Sequence, residues 1–279
     1  MFKTEPDVLG ALTGEPRMTR IETAFRRCRD EGRSALLAYL MAGDPRPDAT
    51  APLALACVRG GADVIELGIP FSDPIADGPE IQAAGSRALR AGTRPTDVLG
   101  IVADLRATTD VPIVLMTYMN PVLAMGLETF AARAAAAGVD GVIVPDLSLE
   151  ESGEVRAALD ARGIDHVQLV APSSSDERAK AIGDASRGFL YVVARYGTTG
   201  ARDALPDGLA GRLAALRRVT SLPLAVGFGV STKDHVRSLA AMAADGIVIG
   251  SAVVRKVAED PRPEAVEACV RTLAEGLRP

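Results

Sequence analysis

The sequence contains few of the residues that build metal centres and disulfide frameworks. It has three cysteines, Cys28, Cys57 and Cys269, and two histidines, His166 and His235, all far apart along the chain. Neither histidine has a cysteine or a second histidine at the short spacing typical of metal ligands. An odd, scattered set of cysteines argues against a disulfide framework. We therefore predict buried, reduced thiols, no bound metal and a cytoplasmic protein.

Long hydrophobic runs and an excess of basic residues are also absent. No apolar segment approaches the roughly 20 residues that cross a bilayer. Residues 1–16 lack the apolar core of a signal peptide. The net charge is −5 and is spread along the chain. These features predict that neither a membrane nor a nucleic acid is a partner.

What the chain does contain is a regular alternation of short apolar runs and helical patterns. The apolar runs do not alternate with polar residues, which is typical of parallel strands buried on both faces. Eight repeats of strand and helix predict a (β/α)8 TIM barrel as a single domain. We place the barrel at residues 18–279, after a flexible N-terminal arm at 1–17, with Met18 as an alternative start. The predicted strands are Leu36–Ala42, Asp63–Leu67, Pro112–Tyr118, Gly141–Val144, His166–Ala171, Gly188–Ala194, Pro223–Val226 and Gly246–Ile249.

The alternative fold is an open, doubly wound sheet, in which Gly227-Phe228-Gly229 would be a dinucleotide-binding loop. That motif requires a third glycine, and Thr232 stands in its place. No acidic residue ends the following strand, although one is expected to bind the ribose. The barrel is therefore the favoured prediction.

The most unusual stretch is VIELGIPFSDPIADGP, residues 64–79. Glu66 interrupts a buried strand, where a carboxylate is costly unless it is paired or its pKa is raised. The loop that follows contains three prolines, which stiffen it, and carries Asp73 and Asp77. A buried acid followed by a second acid on a rigid loop suits general acid–base catalysis. The alternative interpretation is that Glu66 pairs with an arginine and that the aspartates only begin turns.

Active sites of (β/α)8 barrels lie at the C-terminal ends of the strands. Glu66 is predicted to end the second strand, Tyr118 the third and Asp146 the fourth, while Tyr191 lies within the sixth. A single tyrosine at such a position is more often part of the core than of a site. The acids are therefore the stronger candidates.

Glycine-rich strand ends predict a phosphate site. The seventh strand ends in Gly227-Phe228-Gly229 and the eighth in Gly250-Ser251, where a helix is expected to open. Barrels of this kind bind phosphate with backbone N–H groups from these two loops, and a helix N-terminus adds unpaired N–H groups. Ordinary turn glycines are the alternative interpretation. The segment 195–208 after the sixth strand is long and rich in Gly and Thr, and is predicted to be a mobile lid.

Several motifs together resemble the α-subunit family of tryptophan synthase. They are ELGIPFSDPIADGP, an upstream MAGDP, Asn120-Pro121, VPDL, GFGVS and IGSAVV, and they follow the family's order over nearly the whole chain from about Arg20. The resemblance implies a cofactor-independent (β/α)8 lyase that cleaves indole-3-glycerol phosphate to indole and glyceraldehyde 3-phosphate. It also implies a partner, the pyridoxal-phosphate-dependent β-subunit, in an α2β2 complex.

The resemblance assigns roles to single residues as well. Glu66 and Asp77 match the family's catalytic glutamate and aspartate. Positions that match substrate contacts are Met116, Tyr118, Tyr191, Thr199, Gly200, Gly229, Gly250 and Ser251, and positions that match the partner interface are Asp73, Pro74 and Asn120. The lid departs from the family pattern, because Thr198 replaces an apolar residue and Tyr196 a small one. This departure is expected to affect lid closure more than the chemistry.

Two other functions remain open at this stage. A stand-alone indole-3-glycerol phosphate lyase would use the same residues and release free indole. Another phosphate-binding barrel, such as a sugar-phosphate isomerase or aldolase, would need a metal or a Schiff-base lysine at a strand end. The lysines Lys3, Lys180, Lys233 and Lys256 all lie outside the predicted strands.

Overall fold

The computed structural model describes residues 18–194, 205–227 and 229–277. The predicted N-terminal arm, residues 1–17, lies outside the described residues. So does most of the predicted lid, residues 195–204.

Parallel strands form one sheet that closes on itself. β1 pairs with both β2 and β8, and pairing continues in order around the sheet. The fifth strand closes the ring, since its first part pairs with β4 and its second part with β6. The predicted (β/α)8 barrel is therefore confirmed, and the open sheet is excluded. The strands are β1 Ala35–Met41, β2 Val64–Gly68, β3 Ile113–Met116, β4 Gly141–Ile143, β5 in two parts at Asp165–Val167 and Leu169–Val170, β6 Leu190–Val193, β7 Leu224–Gly227 and β8 Gly246–Ile249.

Helices surround the barrel and close its N-terminal end. Helix α1 begins at a capping box formed by Thr19 and Glu22, and its Phe25 ring lies 5.5 Å from the ring of Phe189 inside the barrel. The helices are α1 Arg20–Asp30, α2 Pro47–Gly60, α3 Pro79–Arg90, α4 Pro95–Arg106, α5 Met119–Met125, α6 Leu127–Ala137, α7 Gly153–Asp160, α8 Asp176–Ala185, α9 Leu209–Val219, α10 Lys233–Ala241, α11 Ser251–Glu259 and α12 Pro263–Ala274, followed by a 3-10 turn at Glu275–Leu277.

Each strand is buried on both faces, which explains the continuous apolar runs. Along β1, Leu37 and Tyr39 point into the barrel, while Leu36 and Ala38 pack beneath the helices. This alternation follows from the two-residue period of a strand. Glu66 of β2 stands opposite Tyr39 in the ladder, so its carboxyl group lies on the same inward side as this hydrophobic cluster.

Side chains at the N-terminal end of the barrel bind backbone N–H groups of neighbouring strands. In four places, a side chain before or at the start of an even-numbered strand accepts a hydrogen bond from the preceding strand. The pairs are Leu36 with Asp63 (2.9 Å), Ile113 with Asp140 (2.8 Å), Gln168 with Ser186 (3.0 Å) and Leu224 with Asp245 (2.7 Å). These buried or half-buried aspartates therefore have a structural role, at the end of the barrel opposite Glu66.

Several local predictions differ from the structure. The sequence has a helical pattern over Leu149–Arg162, which predicts a helix there. Helix α7 begins only at Gly153, because the preceding residues form turns in which the Ser152 hydroxyl donates to the Leu149 carbonyl (2.8 Å). Helix α5 was not predicted, because it follows directly on β3. The thiols of Cys28 and Cys57 are buried, but Cys269 is half-exposed, so the prediction of three buried thiols is wrong for Cys269.

Candidate active site

A cleft with about 490 Å³ of empty space opens at the C-terminal end of the barrel. A wider cleft, of about 1090 Å³, lies at the opposite end between α1 and α10, away from the buried acids. The C-terminal cleft contains most of the predicted site residues. Its lining residues are Tyr39, Glu66, Ala76, Asp77, Ile81, Met116, Pro145, Tyr191, Gly229, Val248, Gly250 and Ser251.

Glu66 lies inside β2, two residues before the strand ends at Gly68. It stands between Tyr39 of β1 and Val114 of β3 in the ladder, and it is only 1% exposed. Neither carboxylate oxygen has a hydrogen-bond partner among the described residues. Burial, with a smaller contribution from Asp77, raises its pKa to about 8. The alternative of an arginine partner finds no support within the described ranges.

Asp77 is held in the loop after β2. The Tyr118 hydroxyl donates a hydrogen bond to the Asp77 carboxylate and accepts one from the backbone N–H of Ala76 (3.1 Å). The Tyr118 ring also packs 5.4 Å from the ring of Phe71. Burial raises the pKa of Asp77 to about 6, although the Tyr118 hydrogen bond opposes the shift. Tyr118 therefore fixes the position of the second acid.

The two acids differ in proton affinity. With a pKa of about 8, Glu66 holds its proton at neutral pH, whereas Asp77, with a pKa of about 6, is mostly ionised. One group can therefore donate a proton while the other supplies a negative charge. Two carboxyl groups kept in different protonation states by their surroundings are typical of acid–base active sites.

The predicted phosphate glycines border the same cleft. Gly250 is the N-cap of α11, and Ser251 is its first residue, so the unpaired N–H groups of the first turn point toward the cleft end of the helix. Gly229 has a φ of +91°, in the left-handed region that favours glycine. Thr199 and Gly200, which the resemblance places at the phosphate, lie outside the described residues, as do Tyr196 and Thr198.

The predicted interface residues lie on the rim of this end. Asp73 and Asn120 are exposed and Pro74 is half-buried. Two large apolar side chains are also exposed, Ile75 of the loop after β2 by 74% and Leu123 of α5 by 59%. Large exposed apolar side chains in the same segments as the predicted interface residues are the kind found at interaction surfaces.

Two residues take places that the sequence did not indicate. Asp146 lies beyond the end of β4, and its carboxylate accepts hydrogen bonds from the Met119 N–H at the start of α5 (3.0 and 3.2 Å) rather than lining the cleft. Tyr39 lines the cleft but was missed, because it lies within an apolar run that resembles core. Its register opposite Glu66 is the signal that points to it.

The described residues contain no helix long and apolar enough to cross a membrane. Within the same ranges, no three His, Cys, Asp or Glu side chains form a group that could hold a metal ion.

A parallel (β/α)8 barrel with two buried acids of unequal proton affinity at its C-terminal end defines a class, the acid–base enzymes built on this fold. Comparison with known proteins narrows the class. The family model for the tryptophan synthase alpha chain matches residues 25–277. The chain belongs to the tryptophan synthase alpha chain family.

Individual members of this family are similar in sequence to this chain over most of their length. The tryptophan synthase alpha chain of Solibacter usitatus is 48% identical over 261 residues, covering 94% of this chain and 97% of the relative. That of Halorhodospira halophila is 49% identical over 244 residues, covering 87% of this chain and 89% of the relative.

Solved structures agree as well. Mycobacterium tuberculosis tryptophan synthase has a TM-score of 0.86 at 39% identity, covering 94% of this chain and all of that one. A chain of the tryptophan synthase complex of Pyrococcus furiosus has a TM-score of 0.79 at 39% identity, covering 86% of this chain and 98% of that one.

Proposed function

We propose that this chain is a cytoplasmic carbon–carbon lyase that cleaves indole-3-glycerol phosphate to indole and glyceraldehyde 3-phosphate, a reaction of tryptophan biosynthesis. The observation that carries the proposal is the pair of unequal acids in one cleft, Glu66 with a raised pKa of about 8 and Asp77 with a pKa of about 6. Family membership supplies the substrate.

The first step is proton transfer to the indole ring. Cleavage of the bond between indole C3 and the glycerol chain is a retro-aldol reaction, and it requires C3 to be protonated. Glu66 is the acid, because burial keeps its proton in place at neutral pH. Protonation leaves a positive charge that is shared with the ring nitrogen. Asp77, which is ionised, stabilises this cation near the ring N–H.

The second step returns the proton. The ionised Glu66 carboxylate takes the proton of the glycerol hydroxyl next to C3. The O–H electron pair then forms the aldehyde C=O, the C–C bond breaks, and its electrons neutralise the ring cation. Glu66 ends the cycle protonated. This route needs no cofactor, and the described strands contain no lysine for a Schiff base.

Other residues bind the substrate around this pair. Met116 and Tyr191 lie beside Glu66 in the cleft and contact the indole. The backbone at Gly229, Gly250 and Ser251 binds the phosphate, with Thr199 and Gly200 contributing from the lid.

A β-subunit of tryptophan synthase binds the rim formed by Asp73, Pro74 and Asn120. The exposed Ile75 and Leu123 add apolar area to this surface. The relatives with solved structures include a tryptophan synthase complex, which favours this assembly over a stand-alone lyase.

The proposal is tested by indole release from indole-3-glycerol phosphate. Glu66→Gln keeps the shape of the side chain but removes its proton, so kcat is expected to fall at least about a hundredfold. Asp77→Asn removes the counter-charge and is expected to be similarly severe. The matched control is Asp165→Asn, because Asp165 is also a buried aspartate whose pKa is raised, mainly by burial, to about 6, but at the other end of the barrel. Near wild-type turnover in a folded Glu66→Gln protein would rule out the acid role.

A further inference from the structure

Tyr39 is a buried tyrosine to which the proposed reaction has so far given no part. It lies in β1, points into the barrel and is 4% exposed. It lines the same cleft as Glu66 and Asp77. In the parallel ladder it stands directly beside Glu66. Its hydroxyl group therefore enters the site from the strand next to the proposed acid.

Two glycines fix the path of the Tyr39 side chain. A Cβ added at Gly250 would lie 3.6 Å from the Tyr39 Cβ, and one added at Gly68 would lie 2.1 Å from the Tyr39 hydroxyl oxygen. Gly68 follows Glu66 by two residues and shares its face of β2. The base of the side chain thus lies next to Gly250, and its hydroxyl lies next to Gly68, which follows Glu66 on β2.

The Tyr39 hydroxyl is also available to donate a hydrogen bond. Tyr118 already accepts from Ala76 and donates to Asp77. The hydroxyl of Tyr39, by contrast, forms no hydrogen bond with any residue that the structure describes. Burial, followed by the nearby charges of Asp77 and Glu66, raises the pKa of Tyr39 well above its usual value. Tyr39 consequently stays protonated at neutral pH and remains a donor there.

Glu66 needs such a donor for half of the reaction. Once it has given its proton to C3 it is a buried anion, and neither oxygen has a partner among the described residues. An unpartnered buried carboxylate is costly, which would oppose proton donation. Among the residues that the structure describes, the ionisable groups that face Glu66 are Tyr39 from β1, Tyr191 from β6 and Asp77 from the loop after β2.

We propose that Tyr39 is a positioning residue, whose hydroxyl donates a hydrogen bond to the Glu66 carboxylate while Glu66 is ionised. The inference rests on the proposed function. Tyr39 keeps its own proton throughout, while Glu66 gives one proton to C3 and receives one from the substrate hydroxyl. A hydrogen bond to the charged form favours that form, so Tyr39 makes Glu66 a stronger acid than burial alone would allow.

The test is Tyr39→Phe, which keeps the ring between the two glycines and removes only the hydroxyl. Indole formation is measured against pH in the complex with the β-subunit, for the wild type, Tyr39→Phe and the control Thr93→Val. Thr93 has a buried hydroxyl that has no partner among the described residues and lies outside the cleft lining. We expect a roughly tenfold fall in kcat for Tyr39→Phe and a shift of the alkaline limb to higher pH by up to about one unit. Thr93→Val should match the wild type.

A second measurement separates this role from simple substrate binding. An inert analogue, 3-(indol-3-yl)propyl phosphate, lacks the reacting hydroxyl and does not require Glu66 to ionise. Its Kd should be the same for Tyr39→Phe and the wild type. An unmoved alkaline limb, or a loss confined to KM and analogue affinity, would overturn the inference. The proposed function fails separately, if Glu66→Gln retains turnover.

Discussion

At the scale of single residues, burial determines what Glu66 can do. The same burial that keeps its proton in place makes its ionised form unfavourable in the folded protein. Chemistry and stability are therefore linked through one pKa, which burial raises from 4.5 to about 8. Glutamine at this position would remove both effects together.

The linkage predicts how stability depends on pH. Because the folded-state pKa of Glu66 lies above its ordinary value, its contribution to stability is fully present below about pH 4.5 and is lost as pH rises through about 8. Glu66→Gln never ionises and keeps its contribution. We expect the free energy of unfolding of the wild type to fall relative to that of Glu66→Gln by on the order of 3 kcal/mol as pH rises from about 5 to 8.5. Urea unfolding at several pH values measures this, and parallel curves for the two proteins would contradict it.

At the scale of elements, the loop after β7 and the start of α11 bring the proposed phosphate glycines, Gly229 and Gly250, to the cleft that contains the two acids. Gly250 caps α11, and a Cβ there would be in ordinary contact with Tyr39, so the fold has room for a Cβ at this position. If the helix N-terminus binds the substrate phosphate as proposed, a side chain at Gly250 would hinder the approach of the phosphate to the N–H groups.

Gly250→Val is therefore predicted to raise the KM for indole-3-glycerol phosphate by about tenfold or more. The KM for indole-3-glycerol, which lacks the phosphate, should be high and nearly equal in wild type and variant. Gly100→Val is the matched control, because a Cβ at Gly100 of α4 meets nothing within 4 Å. Equal loss of affinity for both substrates would show that Gly250 shapes the cleft without binding phosphate.

The elements also show what sequence patterns can predict. Strands buried on both faces appear as continuous apolar runs, so all eight strand positions and the barrel were predictable. Glu66 was predictable because a carboxylate is out of place in such a run. Tyr39 was not, because a tyrosine in an apolar run resembles core. Only the ladder, which aligns it with Glu66, shows that it lines the cleft.

At the scale of the whole molecule, the proposed partner surface and the cleft share one segment, the loop after β2. The loop after β2 carries the exposed Asp73 and Ile75 and then the buried Asp77. A β-subunit that orders this loop would also position Asp77. It would regulate the site by shifting the population of loop conformations toward the active one.

We predict that the isolated chain is a slow lyase and that a cognate β-subunit raises its turnover tenfold or more, equivalent to about 1.4 kcal/mol. Asp73→Ala should lose much of this activation and keep the basal rate, because Asp73 does not line the cleft. Indole release by both proteins, alone and with the β-subunit, measures the effect. An isolated wild type that already reaches the rate of the complex would favour a stand-alone lyase, and the lid residues Tyr196 and Thr198 would then be the first to examine.

The pH dependence of cleavage in a single turnover tests the central claim most directly, because it reports the protonation states that the two acids need. Glu66 must be protonated and Asp77 ionised, so the rate should form a bell that rises near pH 6 and falls near pH 8. The low-pH limb should be absent in Asp77→Asn, whose residual rate no longer depends on that ionisation. A wild-type rate that is constant from about pH 5 to 9, or that continues to rise above pH 8, would contradict the assignment of Glu66 as the acid.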